Sequence, residues 1–464
     1  MIMHQTYQSP FSWRYGSEHM RQIFSEQHKF ELWRRVWVAL AQAQHTAGLV
    51  SAEELADLQK HQDEIDISRI LEIEKETKHD VVAAIKEFAE KAKIGGGKIH
   101  LGATSMDIND NADTIRYHEA LGSIEKKIVN LLTIFSSLIA QYANTPCMGY
   151  THLQPAEPTT VGYRMAYYAQ DLLMDFDYLQ FVRGAMKAKG MKGAVGTAAS
   201  YTALTKSAQG ASQMEQEVMK SLGLHSATIS TQVYPRKIDY YILTLLSSIS
   251  STLAKFASDL RILQSPSIGE WSEPFGKTQV GSSAMPFKKN PIASEKICSL
   301  ARYIGTLPAV ALENASHSYL ERTLDDSANR RIILPEGFLA VDEVLITAEK
   351  ILKNIVINKE RIAYNLNQYA PFAASESILL EAVARGVNRQ DMHETLREIA
   401  MQAWAQVQVG KENPMADLLK KSTAITDHVT IDAIDQLLDV STHIGDAPKR
   451  AMDVVDIINT FISL

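Results

Sequence analysis

The sequence predicts an all-α protein built around a bundle of long helices. Apolar residues recur at three- and four-residue spacing over long stretches, whereas alternation with period two, which is typical of strands, is scarce. Glycine or proline follows several of these stretches, as expected where helices end. Helices this long usually pack together as a bundle. Their broad apolar faces also indicate oligomerisation, because a single chain does not cover them.

Five segments carry the helical pattern in chain order. The uncharged run from Tyr240 to Ala254 lies in the fourth of them, is shorter than the roughly 20 residues of a membrane span, and contains serines and threonines, so we interpret it as a buried bundle helix. The segments are residues 30–47 before Gly48, residues 124–142 before Asn144-Thr145-Pro146, residues 160–189 before Gly190, residues 237–265 before Pro266, and a run from about Ile292.

We divide the chain into three parts. Residues 1–103 form an N-terminal helical domain, residues 104–358 a central long-helix domain that includes a loop at 279–293, and residues 359–464 a helical C-terminal domain. The first boundary follows the glycines at 95–97 and the second lies at residues 357–359, since such punctuation marks breaks between elements.

Composition excludes several classes of protein. The 464 residues carry 47 Lys and Arg against 54 Asp and Glu, a net charge of −7, which argues against a nucleic-acid surface over the whole protein but allows a local basic pocket. The first residues lack a signal-peptide pattern, so we expect no membrane partner. Cys147 and Cys298 form no CxxC pair, and no HExxH occurs among the 14 histidines. We therefore expect a reducing, cytoplasmic setting and predict neither a metal nor a cofactor.

The stretch from Gly281 to Pro291, GSSAMPFKKNP, is the most informative segment. Glycine frees the backbone and the prolines prevent helix, so the stretch should be a loop. It is either an ordinary linker or a mobile loop that closes over an anionic ligand and brings Ser282, Ser283 or Lys288 to it.

Two further segments contain a histidine with polar neighbours. His79 stands between Lys78 and Asp80, which can tune or orient it, although a lone histidine on a helix is more often structural. His152 follows Thr151 in a stretch bounded by glycine and proline rather than on a periodic apolar face, so a functional role and a structural one are equally consistent with its position.

Two more segments contain groups that are suited to binding an anion. Thr104 and Ser105 follow Gly102 at a predicted helix start, which either caps the helix or binds a carboxylate through free N–H groups and hydroxyls. The segment 321–331 holds three arginines, which either form a salt-bridged solvated face with its aspartates or bind a phosphate.

The Gly281–Pro291 stretch followed by Glu295 resembles the signature loop of the fumarase/aspartase superfamily, whose members cleave C–N or C–O bonds by β-elimination and release fumarate. Within this superfamily, further segments resemble the adenylosuccinate lyase family, in the variety found in animals. This resemblance covers essentially the whole chain. These segments are KHDV, HLGATS, YTHLQPA, KGAVGT, TQVYPRKID and ERTLDDSANRR, with Ser9-Pro10, Arg14-Tyr15 and Asn388-Arg389-Gln390-Asp391.

The resemblance implies an all-α fold of three domains, a homotetramer formed around the long-helix bundle, and active sites shared between chains. It implies small-molecule nucleotide substrates, adenylosuccinate and succinyl-aminoimidazole-carboxamide ribotide, each cleaved to fumarate and an amino product in purine biosynthesis. Ser282 would be the general base, assisted by Lys288; His152 would be the general acid, with Glu295 as its partner; and His79 would orient the substrate.

The resemblance also implies binding residues. Those on the fumarate side are Thr104, Ser105, Gln232, Lys288 and Asn290, with Thr151 close by. Substrate-binding roles are also implied for Lys78, Asp80 and Ser283. Those for the nucleotide phosphate are Arg14, Tyr15, Arg322, Ser327 and Arg331.

This chain departs from the animal-type pattern at Lys78 and Lys296, where arginine is usual. Lysine keeps the charge but loses the bidentate fork, so the relative efficiency on the two substrates is open. Two other hypotheses are a fumarate-releasing lyase with another leaving group, which would not need the phosphate set, and a non-catalytic helical scaffold, which would be expected to have lost some of the catalytic residues.

Overall fold

The structure, a computed structural model, describes residues 5–276 and 278–462, and most of them are helical. The helices before residue 230 are α1 (Glu18–Ile23), α2 (Glu26–Thr46), α3 (Ala52–Lys60), α4 (Ile67–Thr77), α5 (Asp80–Lys91), α6 (Ser105–Tyr142), α7 (Val161–Ala185), α8 (Ala199–Thr205) and α9 (Ala208–Leu222). The helices after it are α10 (Lys237–Leu263), α11 (Ile292–Ile304), α12 (Leu307–Ser316), α13 (Asp325–Leu352), α14 (Lys359–Ala384), α15 (Arg389–Gln408), α16 (Met415–Lys421), α17 (Thr423–Thr426), α18 (Ile431–Leu437) and α19 (Ala447–Ile462). The predicted all-α class is confirmed.

Several predicted helix limits agree with the structure, although the periodic run from residue 124 belongs to a helix, α6, that already begins at Ser105. Helix α2 is followed by Gly48 in the left-handed region at φ 74°, α6 ends at Tyr142, and α11 begins at Ile292. Helix α7 stops at Ala185 rather than at Gly190, so that predicted end was wrong. The reason is that Ala188 leaves the helix and exchanges main-chain hydrogen bonds of 2.8 Å with the 225–227 segment.

The described residues also form two small antiparallel sheets. One is a hairpin of β1 (Pro146–Thr151) and β2 (Gln154–Thr160), and the other pairs β3 (Trp271–Ser272) with β4 (Val356–Ile357). The hairpin has a bulge between Met148 and Tyr150, and a Cβ at Gly149 would collide with the Glu157 carbonyl oxygen. Glycine is therefore needed where the strands approach each other at the bulge.

The chain folds into two compact units, each assembled from three separated segments. The first unit comprises the described part of residues 1–127 with 175–251 and 299–346, and the second comprises 128–174, 252–298 and the described part of 347–464. The three-domain division stays a prediction. None of the helices within 5–276 and 278–462 has both the length and the apolar character needed to cross a membrane.

The N-terminal helices of the first unit share an aromatic core. Trp33 of α2 packs edge-on against Phe30, with ring centroids 5.2 Å apart, and against Trp37. Arg34 of the same helix forms a buried ion pair with Glu87 of α5. This core fixes α2 and α5 and so positions the segment before α5 that carries His79.

In the second unit, helix α14 packs against both strands of the β1–β2 hairpin and against α15. Phe372 of α14 meets Trp404 of α15 edge-on at 5.6 Å. The side-chain amide of Asn413 donates to the Gln368 carbonyl at 2.8 Å, which ties the segment before α16 to α14. The hairpin that carries His152 therefore rests on a packed helical layer.

Candidate active site

The two units divide the predicted site residues between them. The first unit holds Arg14, Tyr15, Lys78, His79, Asp80, Thr104, Ser105, Gln232, Arg322, Ser327 and Arg331. The second unit holds Thr151, His152, Ser282, Ser283, Lys288, Asn290 and Glu295.

In the first unit, His79 is the N-cap of α5 rather than a residue within a helix. Lys78 before it ends α4 in the left-handed region at φ 54°. The Val82 N–H donates to His79 Nδ1 at 3.4 Å, so the neutral ring carries its proton on Nε2. Since about half of the His79 side chain is exposed, this nitrogen is available to a ligand.

The carboxylate of Asp80 links the His79 segment to α13. Arg331 Nη2 donates to Asp80 Oδ2 at 3.2 Å, and the Arg331 side chain is 69% exposed. An exposed pair of this kind contributes little to stability, so the guanidinium can turn to a stronger anion at small cost. Ser327 lies one turn earlier on α13, on the same face as Arg331.

Arg322 is anchored by a buried network. Its Nη1 donates to Asp326 Oδ1 at 2.8 Å, and Asp326 Oδ2 accepts from Arg236 Nε at 2.6 Å. Arg236 in turn donates to Asp110 at 3.1 Å. Burial raises the pKa of Asp326, but Arg236, Arg330 and Arg322 outweigh it and bring the pKa below its ordinary value. Asp326 is therefore ionised and holds Arg322 in place.

Helix α6 begins at Ser105, as predicted, with Asp107 in its first turn. The Thr104 N–H donates to Asp107 Oδ2 at 2.9 Å, and the buried Asp107 side chain also forms an ion pair with Lys189 and accepts from the Gly193 N–H. The other N–H groups of a first helical turn have no partner within the helix, so Ser105 offers one to a ligand.

The partly buried His100 lies beside this helix start. Trp37 Nε1 donates to its Nδ1 at 3.1 Å. Burial, partly opposed by Asp107 and reinforced by His79, lowers its pKa to about 4, so the ring is neutral at pH 7.

The remaining residues of the first unit fall into two places. The Gln232 N–H donates to the Glu321 carbonyl at 3.2 Å, which puts Gln232 beside the segment of Arg322. Arg14 stacks on its own neighbours, with its guanidinium carbon 5.6 Å from the Trp13 ring centre and 6.0 Å from that of Tyr15. The structure therefore groups Gln232 with Arg322, while Arg14 and Tyr15 contact their own segment.

In the second unit, His152 lies at the tip of the β1–β2 hairpin, where the sequence indicated only a loop. Thr151 pairs with Gln154, so His152 and Leu153 form a two-residue turn. Their φ angles are 53° and 60°, the left-handed region that non-glycine residues rarely adopt. His152 is exposed, and the turn holds it in a strained position that points to function.

The predicted signature loop is confirmed as a loop over its described residues. Ser282 Oγ accepts from the N–H groups of Met285 at 3.0 Å and Ala284 at 3.3 Å. Asn290 Nδ2 donates to the Gly281 carbonyl at 3.0 Å, which joins the two ends of the loop. Two N–H donors on one hydroxyl oxygen favour its anionic form, as a serine that acts as a base requires. Lys288 and Ser283 are exposed on the same loop.

Glu295 lies in the first turn of α11, and its N–H donates to the Pro291 carbonyl at 3.0 Å. It lines a cavity of about 810 Å³ together with Leu153 and Gln154, the residues that follow His152. Glu295 and the hairpin tip thus face one cavity. A direct pairing of Glu295 with His152 stays a prediction.

Sequence reasoning did not find Arg236 and Glu270, two buried residues that contact the segments of the candidate site. Arg236 secures Asp326, and Glu270 contacts the β1–β2 hairpin. Their partners lie 90 and 120 positions away in the chain, and no local spacing could indicate them.

Two family models match the chain. One, described as "Lyase", covers residues 14–305, and the other, described as "Adenylosuccinate lyase C-terminus", covers residues 371–454. The adenylosuccinate lyase of Saccharomyces cerevisiae is 37% identical over 454 residues, which are 96% of this chain and 93% of that protein. The chain belongs to the adenylosuccinate lyase family. As a member of this family it is a lyase.

Adenylosuccinate lyases from distant organisms are similar along nearly their whole length. That of Schistosoma mansoni is 37% identical over 421 residues (89% of this chain, 87% of that one), and that of Pyrococcus abyssi is 35% identical over 451 residues (96% and 97%). The resemblance is therefore not confined to the signature loop.

Two solved structures share the fold of this adenylosuccinate lyase family member. A 3-carboxy-cis,cis-muconate lactonizing enzyme from Pseudomonas putida has a TM-score of 0.86 at 23% identity and covers 98% of this chain and 100% of its own. A fumarate lyase from Mesorhizobium sp. BNC1 has a TM-score of 0.84 at 22% identity, with 97% and 99% covered. At these identities they support the helical fold alone.

Proposed function

We propose that the protein cleaves adenylosuccinate to AMP and fumarate, and succinyl-aminoimidazole-carboxamide ribotide to the aminoimidazole-carboxamide ribotide and fumarate. The observation that carries this proposal is the match to curated adenylosuccinate lyases over 96% of the chain, with the predicted catalytic residues all present. The protein thereby serves purine nucleotide biosynthesis.

The proposed reaction needs a base, an acid and an anion-binding site. Ser282, as its alkoxide, removes a proton from the carbon beside a carboxylate of the succinyl group, and the electron pair passes into that carboxylate. The C–N bond then breaks to give the double bond of fumarate, and His152 donates a proton to the departing nitrogen.

The surroundings of Ser282 support its role as the base. The N–H groups of Ala284 and Met285 point at its Oγ and stabilise negative charge there without any rearrangement at the moment of reaction. Lys288 and Asn290, on the same loop, supply a cation and an amide for the doubly charged carboxylate that forms. Closure of the exposed loop would exclude water and strengthen these interactions.

Arginines of the first unit support a phosphate site. Arg331 donates to Asp80 and Arg322 donates to Asp326. Because a guanidinium has five N–H donors, both retain donors for a phosphate. Ser327 adds a hydroxyl on the same helix as Arg331. We assign the nucleotide phosphate to these residues, together with Arg14 and Tyr15.

We also propose that the protein is a cytoplasmic homotetramer in which chains share active sites. An apolar stripe along α7 supports the assembly, because its large side chains are exposed in the single chain and a second copy can cover them. The stripe consists of Tyr163, Tyr167, Met174 and Phe181, which are 39%, 48%, 65% and 57% exposed.

A substrate panel tests the proposed function. Purified protein is given adenylosuccinate, the succinylated ribotide, argininosuccinate and the dephosphorylated succinyladenosine, and fumarate is measured. We expect rapid turnover of the first two, none of argininosuccinate, and a raised KM for succinyladenosine because it lacks the phosphate. Turnover of argininosuccinate alone would instead show a lyase with another leaving group.

A further inference from the structure

The hairpin that presents His152 needs support from the surrounding structure. Its two turn residues, His152 and Leu153, both have positive φ, and neither is glycine, so the turn is strained relative to relaxed backbone. Such a turn keeps its shape only where neighbouring contacts hold it. Tyr150, two residues before His152, and the bulge at Gly149 are the nearest places where those contacts can act.

Glu270 makes those contacts. Its side chain is fully buried, and Oε1 accepts from the Tyr150 hydroxyl at 3.4 Å and from Asn365 Nδ2 at 3.0 Å. Burial, followed by the negative charge of Glu270, raises the pKa of Tyr150, so the hydroxyl keeps its proton and remains a donor. Tyr150 itself lines the cavity that Leu153 and Glu295 face.

The other carboxylate oxygen of Glu270 reaches the bulge through Arg164. Arg164 Nη1 donates to Glu270 Oε2 at 3.3 Å, and Nη2 donates to the Met148 carbonyl at 2.6 Å. That carbonyl lies where the register of β1 shifts and the regular ladder is interrupted. One carboxylate therefore fixes two points of β1, one directly through Tyr150 and one through Arg164.

Glu270 also stands at the start of the chain segment that leads to the signature loop. Its carbonyl accepts from the Asn358 N–H at 2.8 Å, and the next residue, Trp271, begins β3. Its main chain is thus tied to the β3–β4 sheet while its side chain holds the hairpin.

A buried ion pair of this kind is not by itself evidence of a role in stability. Removing a carboxylate from water is costly, and a buried ion pair is often no more stabilising than well-packed apolar side chains of the same volume. The hydrogen bonds among Glu270, Arg164 and Tyr150 depend on both distance and angle. They therefore define the position of the hairpin more narrowly than apolar packing would.

We propose that Glu270 is a positioning residue for His152. Through Tyr150 and Arg164 it holds the hairpin tip in the position from which His152 reaches the departing nitrogen of the substrate. The inference rests on the proposed function, since it presumes that His152 is the general acid. A displacement of about 1 Å in an acid can lower the rate about a hundredfold, while the binding of the substrate elsewhere is unaffected.

Paired tyrosine variants test the proposal. Tyr150→Phe removes the hydroxyl that donates to Glu270. Tyr168→Phe is the matched control, because Tyr168 is a buried tyrosine of the same unit whose hydroxyl donates to a different carboxylate, Asp259, at 2.7 Å. Glu270→Gln, which keeps the shape and removes the charge, is measured beside them. The measurements are kcat, KM and the solvent deuterium isotope effect on kcat with adenylosuccinate, with His152→Ala as the reference.

We expect kcat to fall about tenfold or more in Tyr150→Phe and further in Glu270→Gln, with KM within about twofold of the wild-type value. The isotope effect should rise in both, because proton donation by a displaced His152 becomes rate-limiting, and it should stay unchanged in Tyr168→Phe. If Glu270→Gln does not fold, Tyr150→Phe alone carries the test.

The proposal is overturned if His152→Ala is inactive while Tyr150→Phe retains the wild-type kcat and isotope effect. It is equally overturned if Tyr168→Phe loses as much kcat as Tyr150→Phe, since the effect would then be general destabilisation. Wild-type turnover by His152→Ala is a different result, which removes His152 from the reaction and contradicts the proposed function itself.

Discussion

Arg322 is fixed by its own unit and still keeps guanidinium donors that a ligand could use. It donates to Asp326, whose other oxygen is held by Arg236. Loss of the Arg322 side chain leaves Asp326 paired, so the buried network should survive. The sequence alone left open whether this segment is a salt-bridged face or a phosphate site, and the structure shows that an ion pair and free donors coexist on the same guanidinium.

We predict that Arg322→Ala raises KM for adenylosuccinate about tenfold to a hundredfold, the range of a charge-assisted hydrogen bond, with little change in kcat. The reason is that the phosphate is held equally before and during the reaction. Steady-state kinetics with adenylosuccinate and with succinyladenosine check this, and the effect should vanish for the substrate without phosphate.

Arg385→Ala is the control for Arg322→Ala, because Arg385 is an exposed arginine paired with Glu381 in the second unit. It should leave both constants unchanged. A fall in kcat alone in Arg322→Ala, or the same loss with succinyladenosine, would contradict the assignment of Arg322 to the phosphate.

At the scale of elements, the shape of the signature loop depends on Gly281. A Cβ there would overlap the Lys288 carbonyl oxygen, and the Gly281 carbonyl accepts from Asn290. We predict that Gly281→Ala lowers kcat about tenfold or more, because the loop can no longer hold Ser282 and Lys288 together.

Thermal stability should change little in Gly281→Ala, because the loop is largely exposed. Gly276→Ala, shortly before the loop, is the control: its Cβ would lie 3.7 Å from the nearest neighbour, an ordinary contact. Kinetic constants and melting curves of the two variants test whether Gly281→Ala lowers kcat without lowering thermal stability. A Gly281→Ala enzyme with the wild-type kcat would show that the loop shape is not required.

His28 ties α2 to α6 in a way that depends on pH. Its Nε2 lies 2.7 Å from Glu119 of α6 and its Nδ1 lies 3.3 Å from Glu31. Hydrogen bonding to Glu119 raises its pKa, despite the opposing effect of burial. A raised pKa in the folded state means that the stabilisation is complete below the ordinary pKa of 6.5 and is lost as the pH rises through the raised value.

We therefore predict that His28→Gln lowers the free energy of unfolding by up to about 1 kcal/mol at pH 6 and by less at pH 9. Urea titrations at a fixed protein concentration measure both values. His428→Gln, at an exposed histidine, is the control for the substitution itself and should change the free energy of unfolding little. A larger loss at pH 9 than at pH 6 would show that the interaction with Glu119 is not ionic.

For the whole molecule, periodicity predicted the long helices well, since apolar spacing and flanking breakers determine them locally. It did not predict the β1–β2 hairpin, because His152-Leu153 replaces the usual Asn-Gly turn and Pro155 and Pro158 lie in its second strand. The site residues came from motif resemblance. The supports at Arg236 and Glu270 did not, because they act through contacts between distant segments.

The proposed assembly makes a prediction about mixtures. If His152 and Ser282 of one site come from different chains, His152→Ala and Ser282→Ala proteins, each inactive alone, should form hybrids in which about a quarter of the sites are intact. Activity after unfolding and refolding the two together measures this fraction. Well-mixed hybrids without any activity would mean that one chain supplies both residues.

The most direct test of the central claim compares fumarate release from adenylosuccinate by the wild-type protein and by Ser282→Ala, with substrate binding to the variant measured at equilibrium. We predict that the wild type forms fumarate and AMP in equal amounts. Ser282→Ala should bind the substrate with nearly unchanged affinity and turn it over at least about a thousandfold more slowly, because only the base is removed. Wild-type turnover by Ser282→Ala, or no fumarate from the folded wild-type protein, would contradict the account.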